Sequence, residues 1–192
     1  MAIEYELKFR ATEAVLAEIR QAYPGQCREY QMETTYYDTP SRSLSARHYT
    51  LRRRMENDVS VCTLKTPAEG HGRQELETQC RNIEDAIPVL CKLGAPENLM
   101  ALTQKGVAPV CGARFIRQSL AVEIPQGVVE LALDKGILFA GDRELPICEV
   151  EVELKDGEPN AAVQFASLLA EKYALQPEHR SKFKRAKALG EP

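Results

Sequence analysis

The segment CEVEVELKDG, residues 148–157, alternates acidic and apolar side chains. Glu149, Glu151 and Glu153 stand two positions apart, with valines between them. Residues two apart share one face of a β-strand, so this pattern predicts a strand with a carboxylate face and an apolar face. Three carboxylates in a row on one face repel one another unless cations lie close by. The segment therefore predicts both a strand and basic side chains near it.

The same alternation recurs in most of the other strand-like segments. Read singly, each such strand favours a sandwich or an open sheet with a solvated outer face. A closed barrel is the second geometry, with polar faces turned into a lumen and apolar faces covered by helices. A lumen lined by both signs of charge is costly to leave empty, and it suits a polyanionic ligand with divalent metal ions. The charged sets that share a strand face are Glu4, Glu6 and Lys8; Arg52 and Arg54; Thr63 and Lys65; Arg73, Glu75 and Glu77; and Glu130 and Asp134.

Hydrophobic periodicity predicts about eight strands and several helices. Strands are expected around 4–8 and at 34–40, 49–55, 59–67, 72–79, 113–124, 127–134 and 147–155. Helices are expected at 12–23 with Thr12 as N-cap, at 83–93 although Pro88 counts against it, and at 97–106, 161–173 and 179–189. This order favours antiparallel neighbours, and 192 residues without a break in composition favour one α+β domain over residues 1–192.

Composition excludes several classes of protein. No apolar run approaches the length of a membrane span and no signal-like segment opens the chain, so the protein is expected in the cytoplasm. The net charge of −3 indicates no particular partner. The six cysteines lack a CxxC pair, and neither disulfides nor structural zinc are expected. The histidines, His48, His71 and His179, are expected on the surface.

The two kinds of charge divide the expected chemistry. Carboxylates supply the hard oxygen ligands of Mg²⁺ or Mn²⁺, whereas Arg and Lys donate to phosphate oxygens. A phosphate-binding loop of the GxxxxGK[ST] type and a nucleophile elbow are both missing. Candidate metal ligands are Glu4, Glu6, Asp134, Glu149, Glu151 and Glu153, and candidate phosphate-binding residues are Lys8, Arg52, Arg54, Lys65, Arg73, Arg117 and Lys182.

Two other basic features are set apart from these candidates. Arg114 lies out of phase with Arg117 and is not a candidate. The run RSKFKRAK (180–187) spaces its charges around a helix, so most of it is expected to form a solvated helix face, and nucleic-acid binding is not expected.

These residues resemble the CYTH superfamily of triphosphate tunnel metalloenzymes. The family's N-terminal signature ExExK stands here as EYELK at 4–8. Further matches follow in family order and span nearly the whole chain: YYDTP (36–40), LRRR (51–54), TLK (63–65), RQELE (73–77), the Arg117 strand, LALDKG (131–136), CEVEVELKDG (148–157) and SK (181–182). Within the superfamily the chain is most similar to bacterial inorganic triphosphatases.

The resemblance implies a fold and a reaction. The fold is an eight-stranded antiparallel β-barrel that forms a triphosphate tunnel with a charged lumen, covered by several α-helices, without the C-terminal CHAD domain of many relatives. The reaction is hydrolysis of inorganic triphosphate to diphosphate and phosphate with Mg²⁺ or Mn²⁺, expected as two ions. Glu4, Glu6 and two of the three glutamates at 149–153 would hold metal, and Glu4, Glu6 and Lys8 would be the catalytic residues.

Other activities of the family stay open at this point. Its members also hydrolyse thiamine triphosphate or nucleoside triphosphates, and one branch, of the class IV adenylate cyclase type, cyclises ATP. A further alternative is a non-catalytic module that binds polyphosphate or the 5′-triphosphate end of RNA. The expected partner is a small-molecule triphosphate. Membrane association is not expected, and a homodimer is allowed.

Overall fold

The computed structural model describes residues 5–67 and 73–191, and in them one antiparallel sheet carries five helices. Its strands are β1 (Glu6–Arg10), β2 (Cys27–Asp38), β3 (Thr50–Glu56), β4 (Val59–Pro67), β5 (Arg73–Gln79), β6 (Ala108–Ile124), β7 (Gly127–Ala140), β8 (Arg143–Gly157) and β9 (Gln176–Pro177). Its helices are α1 (Glu13–Ala22), α2 (Ile83–Lys92), α3 (Leu99–Thr103), α4 (Pro159–Lys172) and α5 (Lys182–Leu189), with a short 3₁₀ turn at Ser45–Arg47.

The sheet is curled rather than closed, which corrects the prediction of a closed eight-stranded barrel. Its strand order is β5-β4-β3-β2-β6-β7-β8-β1-β9. The ninth strand, β9, takes the outer edge of β1 at Phe9 and Arg10, an edge that closure of the barrel would use. In the described part of the chain, β5 and β9 are therefore the two edges of the sheet, and the polar inner face curves between them.

The three longest strands extend beyond their predicted limits. Strands β6, β7 and β8 have 17, 14 and 15 residues, and β7 and β8 pair from Ala140 and Arg143 at their hairpin turn back to Gly127 and Gly157. Residues 135–146, missed as strand, include Gly136 and Pro146, which interrupt the alternation of charged and apolar residues. Pairing across the hairpin decides the conformation of this segment, because its local pattern is weak.

The outer face of the sheet is apolar and covered by helices, as predicted. Helices α1 and α4 cover one half, where Ile19 and Leu169 pack on strand residues such as Leu131 and Val152. Thr12 caps α1 as expected, with its side chain accepting from the Val15 amide at 3.3 Å. Each fully buried leucine or isoleucine here contributes about 1.5–3 kcal/mol to stability.

The other half of the outer face is covered by α2 and α3. Leu51 and Leu64 of the sheet pack there against Leu90 and Leu99 of the helices. Helix α2 forms although Pro88 lies inside it. Since the proline removes one helical hydrogen bond, burial of the apolar face of α2 outweighs an unfavourable local preference.

Helix α5 differs from the other four because it packs on the inner face. Phe183 lies against Tyr36, with ring centroids 5.0 Å apart, and Ala186 is fully buried. Lys182 and Arg185 are 9% and 6% exposed. The expectation of a solvated helix face is therefore wrong for Arg185, whereas Lys182 was expected inside the lumen. Phe183 and Ala186 of the same helix pack against the inner face, and Lys182 and Arg185 both contact the carboxylate of Glu149 there.

The described residues bear on the cysteines, on two of the histidines and on membrane-spanning helices. All six cysteines lie in the described part of the chain and are free thiols. His48 and His179 are exposed, and His71 lies outside the described residues. No helix of the described ranges is both long and apolar enough to cross a membrane.

Gly136 on β7 lies where two strands approach too closely for a side chain. A Cβ atom built there would lie 2.1 Å from the Arg114 carbonyl oxygen and 2.4 Å from the Cα of Phe115. Both are backbone positions and cannot swing aside. Gly136→Ala is expected to lower the free energy of unfolding by about 1–3 kcal/mol in urea denaturation, as overpacked interiors do.

The matched control for this change is Gly25→Ala. No atom lies within 4 Å of a Cβ at Gly25. This variant should stay within about 0.5 kcal/mol of the parent. Equal stability of the two variants would contradict the close approach at Gly136.

Glu178 joins β1 to the segment that leads into α5. Its buried carboxylate accepts from Arg10 Nε at 2.9 Å and from Arg180 Nε at 3.1 Å, and its amide donates to the Lys8 carbonyl at 2.9 Å. Hydrogen bonds from the Arg180 side chain and backbone, then from Arg10, lower the pKa of Glu178 to about 2. The ionised form of Glu178 is thus part of the folded structure.

A carboxyl with a lowered pKa stabilises the fold above the pKa of the unfolded chain and loses that effect in acid. The unfolded carboxyl titrates near 4.5, so between pH 4.5 and about 2 the unfolded state binds the additional proton. Glu178→Gln should therefore cost most stability above pH 4.5, and the difference from the parent should shrink as the pH falls toward 2. Urea denaturation across pH 2–7 measures this, with the exposed Glu171→Gln as control; a difference that does not vary with pH would contradict it.

Candidate functional site

A cavity of about 850 Å³ lies along the inner face of the curled sheet. Side chains of β1 to β8 and the start of α5 line it. Because residues of alternate positions on each strand point the same way, the polar sets of the sequence converge on this one space. The residues that line it and bear on its chemistry are Glu6, Lys8, Arg52, Arg54, Lys65, Arg73, Glu75, Glu77, Phe115, Arg117, Glu130, Glu151, Glu153, Lys155 and Lys182.

One wall of the cavity, formed by β3, β4 and β5, is rich in basic side chains. Arg52 Nη2 lies 3.2 Å from Glu75 Oε1, and Lys65 Nζ lies 2.7 Å from the other oxygen of the same carboxylate. Arg54, next on the face of β3, pairs with Glu56 and lies 4.0 Å from Glu77. Burial, followed by the neighbouring charge of Arg52, lowers the pKa of Arg54. A cation whose pKa is lowered by burial and by a neighbouring cation lies where an added anion is stabilised.

The YYDTP motif (36–40) organises the loop after β2, which lies next to the basic wall. Asp38 is buried and accepts from the amides of Thr39 and Leu44 at 2.7 and 3.0 Å and from the Ser45 hydroxyl at 2.5 Å. These bonds fold the loop after β2 so that the His48 carbonyl accepts from Arg73 Nη2 at 3.0 Å. The motif thereby orients a basic side chain of the cavity.

The facing wall, formed by β1, β8 and β7, carries a row of carboxylates. Glu6 is the register partner of Glu153, and Glu153 is the register partner of Glu130. Lys155 Nζ contacts Glu153 Oε1 at 2.7 Å and Glu130 Oε2 at 3.4 Å. Glu6, Glu130 and Glu153 are referred to below as the acidic row.

A buried knot of charges centred on Lys182 lies beside the acidic row on the same inner face of the sheet. Its Nζ lies 2.7 Å from Glu151 Oε1, 2.7 Å from Glu149 Oε2 and 2.8 Å from Asp134 Oδ2. An ammonium has three N–H donors. The Lys182 ammonium donates a hydrogen bond to Glu151 and lies at ion-pair distance from Glu149 and Asp134. Burial opposes the charge, yet the carboxylates of Asp134, Glu151 and Glu149 hold the pKa of Lys182 well above its ordinary value.

Arginines complete the buried knot. Arg117 donates to both oxygens of Asp134, at 2.8 and 2.7 Å, and pairs with Glu151, while Arg185 pairs with Glu149. Burial opposes ionisation of Glu151, but Lys182 first and then Arg117 lower its pKa well below the ordinary value. Glu151 therefore remains ionised although it is almost fully buried.

Two sets of carboxylates differ in their fitness for a metal ion. Oxygens of Asp134, Glu149 and Glu151 lie within 4.8 Å of one another, but the Lys182 ammonium contacts all three, and Asp134 and Glu149 do not line the cavity. The acidic row lines the cavity together with Glu151 and presents the oxygen donors that Mg²⁺ and Mn²⁺ prefer. Among the described residues, only the buried cluster brings three carboxylate oxygens within 4.8 Å of one another, and it already holds the Lys182 ammonium. The cavity wall offers the accessible carboxylates for a divalent cation.

The predicted site residues converge, with three exceptions. Glu6, Lys8, Glu151, Glu153 and all seven predicted phosphate-binding residues line the cavity. Asp134 and Glu149 are buried and do not line the cavity, and Glu4 lies outside the described residues. Arg114, on the outer face, pairs with Glu144 on the surface, in agreement with its omission.

Sequence reasoning missed three charged residues of this region. Glu130 shared a strand face with Asp134 in the alternation, but only its register with Glu153 brings it to the acidic row. Lys155 follows Glu153 by two positions, a spacing that could have indicated it. Arg185 had no signal of its own, because its burial depends on where α5 packs.

Comparison with known proteins agrees with this geometry. The sequence matches the CYTH domain over residues 2–186. It is 32% identical over 160 residues to an inorganic triphosphatase of Haemophilus influenzae, an alignment that covers 81% of this chain and 45% of the Haemophilus protein. The chain thus spans about half the length of that curated relative.

Solved structures share the fold. A Pyrococcus horikoshii protein superimposes with a TM-score of 0.65 at 22% identity, covering 95% of this chain and 97% of its own. HpAC1 from Hippeastrum, which carries an adenylyl cyclase name and is described by a dominant triphosphatase activity, gives 0.67 at 16% identity, with 97% and 96% covered. With a curled antiparallel sheet, a cavity of opposed charges and a family match across nearly its full length, this chain belongs to the CYTH domain family.

Proposed function

We propose that this chain hydrolyses inorganic triphosphate to diphosphate and phosphate with a divalent metal ion. The observation that carries the proposal is the division of one cavity into a basic wall and an acidic wall. A triphosphate chain needs cations along its length, and a divalent ion needs carboxylates beside it. The identity to the Haemophilus triphosphatase supports the same reaction class.

The basic wall would bind and orient the phosphate chain. Arg52, Arg54 and Lys65 are each paired with a carboxylate at their side, and their side chains are only 14–18% exposed. Guanidinium groups bind phosphate oxygens in a bidentate manner, and water is largely excluded around them. Glu75 and Glu77 pair with these cations in the substrate-free protein. A polyanion that enters the cavity would share the cations with these two carboxylates.

The acidic wall would hold the metal. Within the described residues, the ligands for Mg²⁺ or Mn²⁺ would be Glu6, Glu130, Glu151 and Glu153. We propose two ions, with Glu4 as a further ligand. Bound metal supplies a Lewis acid for the phosphoryl oxygen and lowers the pKa of the attacking water. The Lys8 ammonium lies 3.0 Å from Glu6 and 3.3 Å from Glu151, which orients both carboxylates toward the cavity.

The protein's own groups would account for the remaining steps. A carboxylate on the cavity wall accepts the proton of the attacking water, and the bond to the leaving diphosphate breaks as the new P–O bond forms. Arg52 and Lys65 offset the negative charge that grows on the diphosphate. Lys182 and Arg117 keep Glu151 ionised and in place throughout, because both contact its carboxylate.

A substrate panel tests this function. Phosphate release is measured with inorganic triphosphate, thiamine triphosphate, ATP and diphosphate, each with Mg²⁺ or Mn²⁺. We expect the fastest turnover with inorganic triphosphate, little with diphosphate, and loss of activity with a chelator. Cyclic AMP formed from ATP would indicate the cyclase activity instead, and tight triphosphate binding without turnover would indicate a binding module.

Removing a carboxylate from the acidic wall should abolish turnover without unfolding the protein. Glu6→Gln and Glu153→Gln each remove a charged oxygen, and each is expected to lower kcat/KM by about 100-fold or more, the scale of losing one preorganised electrostatic contact. Steady-state phosphate release measures this, and circular dichroism checks the fold.

The matched control is Glu144→Gln, which removes a charge from the same strand β8 on its exposed outer face, where Glu144 pairs with Arg114. Its activity should equal that of the parent. Full activity in both Glu6→Gln and Glu153→Gln would refute the assignment of the acidic wall to metal binding.

A further inference from the structure

Strand β8 carries a β-bulge beside the acidic row. Val129 of β7 is the partner of Leu154, whereas Val128 is the partner of Asp156, which leaves Lys155 without a register partner on β7. A bulge bends its strand and re-aims the side chain at that position. Here the ammonium of Lys155 reaches back to Glu153 and Glu130, the two carboxylates that β8 and β7 contribute to the row.

Lys155 differs from the other lysines of the site in its freedom to move. Its side chain is 44% exposed, whereas those of Lys8 and Lys182 are 12% and 10% exposed. Lys182 is enclosed by three carboxylates and anchored in α5, so it cannot leave them without opening the knot. Lys155 lies at the rim of the cavity and can withdraw into solvent on its flexible stem at little cost.

We propose that Lys155 is a built-in competitor of the divalent metal ion: its ammonium neutralises Glu130 and Glu153 in the metal-free protein and must leave them when metal binds. The inference rests on the proposed metal site and extends it to the control of metal loading. A carboxylate oxygen within 2.7 Å of an ammonium is already partly neutralised, so the metal has to displace that contact before it gains the ligand. Lys155 thereby sets the metal concentration at which the site fills.

The competition predicts a specific effect on metal affinity. Without the ammonium, Glu130 and Glu153 repel each other across the register pair, and a divalent ion relieves that repulsion. Lys155→Met keeps the apolar stem and removes the charge. The substrate-free variant is expected to bind Mn²⁺ about tenfold more tightly than the parent, a difference of about 1.4 kcal/mol.

Isothermal titration calorimetry with Mn²⁺ alone measures this on the full chain. Lys155→Arg keeps the charge and should bind Mn²⁺ as the parent does. Lys135→Met is the matched control, because Lys135 also pairs with one carboxylate, Glu13 at 2.6 Å, but on the exposed outer face. Lys155→Gln provides a second neutral variant in case the methionine disturbs the rim, and thermal unfolding with and without Mn²⁺ checks that metal stabilises both neutral variants more than the parent.

The outcomes separate this inference from the proposed function. Tighter Mn²⁺ binding in both neutral variants, or binding in them where the parent shows none, supports the competition. Equal or weaker binding in the neutral variants, or no binding by any variant, overturns it. A parent that binds Mn²⁺ but does not hydrolyse inorganic triphosphate in the same preparation would refute the proposed reaction while leaving the competition in place.

Discussion

The contact of the Lys182 ammonium with Asp134, Glu149 and Glu151 is the interaction on which the rest of the structure depends. It joins α5 to the inner face of the curled sheet, although α1 to α4 all lie outside the sheet. Removing either partner would leave buried charge without compensation, which costs several kcal/mol. Because three carboxylates compensate one lysine and Arg117 and Arg185 add two further cations, the knot is close to neutral and tolerates burial.

The knot also decides how the cavity works. Glu149 and Asp134 are buried in the knot and do not line the cavity. Glu151 does line it, and Lys182 and Arg117 hold its carboxylate in place. The metal-binding role then falls to the acidic row, which is accessible, and the phosphate-binding role to the basic wall opposite. Each wall carries its own counter-ions, Lys155 on one side and Glu75 on the other. A site of this kind exchanges internal ion pairs for contacts with metal and polyanion.

Much of the fold and of the site follows from alternation alone. The period of two places Glu6, Lys8, Arg52 and Glu151 on the charged faces of their strands, and in the structure these faces line the cavity. The same rule could not separate Glu149 from Glu151 and Glu153, which share one face. Their different environments arise from α5, whose position depends on Phe183 and Ala186 packing against β2 and its neighbours. The open edge of the sheet was equally beyond the reach of the sequence, because the outer edge of β1 is taken by two residues, Gln176 and Pro177, that have no strand pattern.

By itself, the sequence determined which side chains face inward, since side-chain direction in a strand is a local property of the backbone. It also determined the kinds of chemistry that such a lumen can support, because carboxylates and guanidinium groups have fixed preferences for metals and phosphates. Only the tertiary structure decided which carboxylate meets which cation. Register brought Glu130 beside Glu153, a bulge aimed Lys155 at both, and a helix from the far end of the chain inserted Lys182 among three acids. These are contacts between residues distant in sequence, and their energies depend on burial and distance, which a local pattern does not contain.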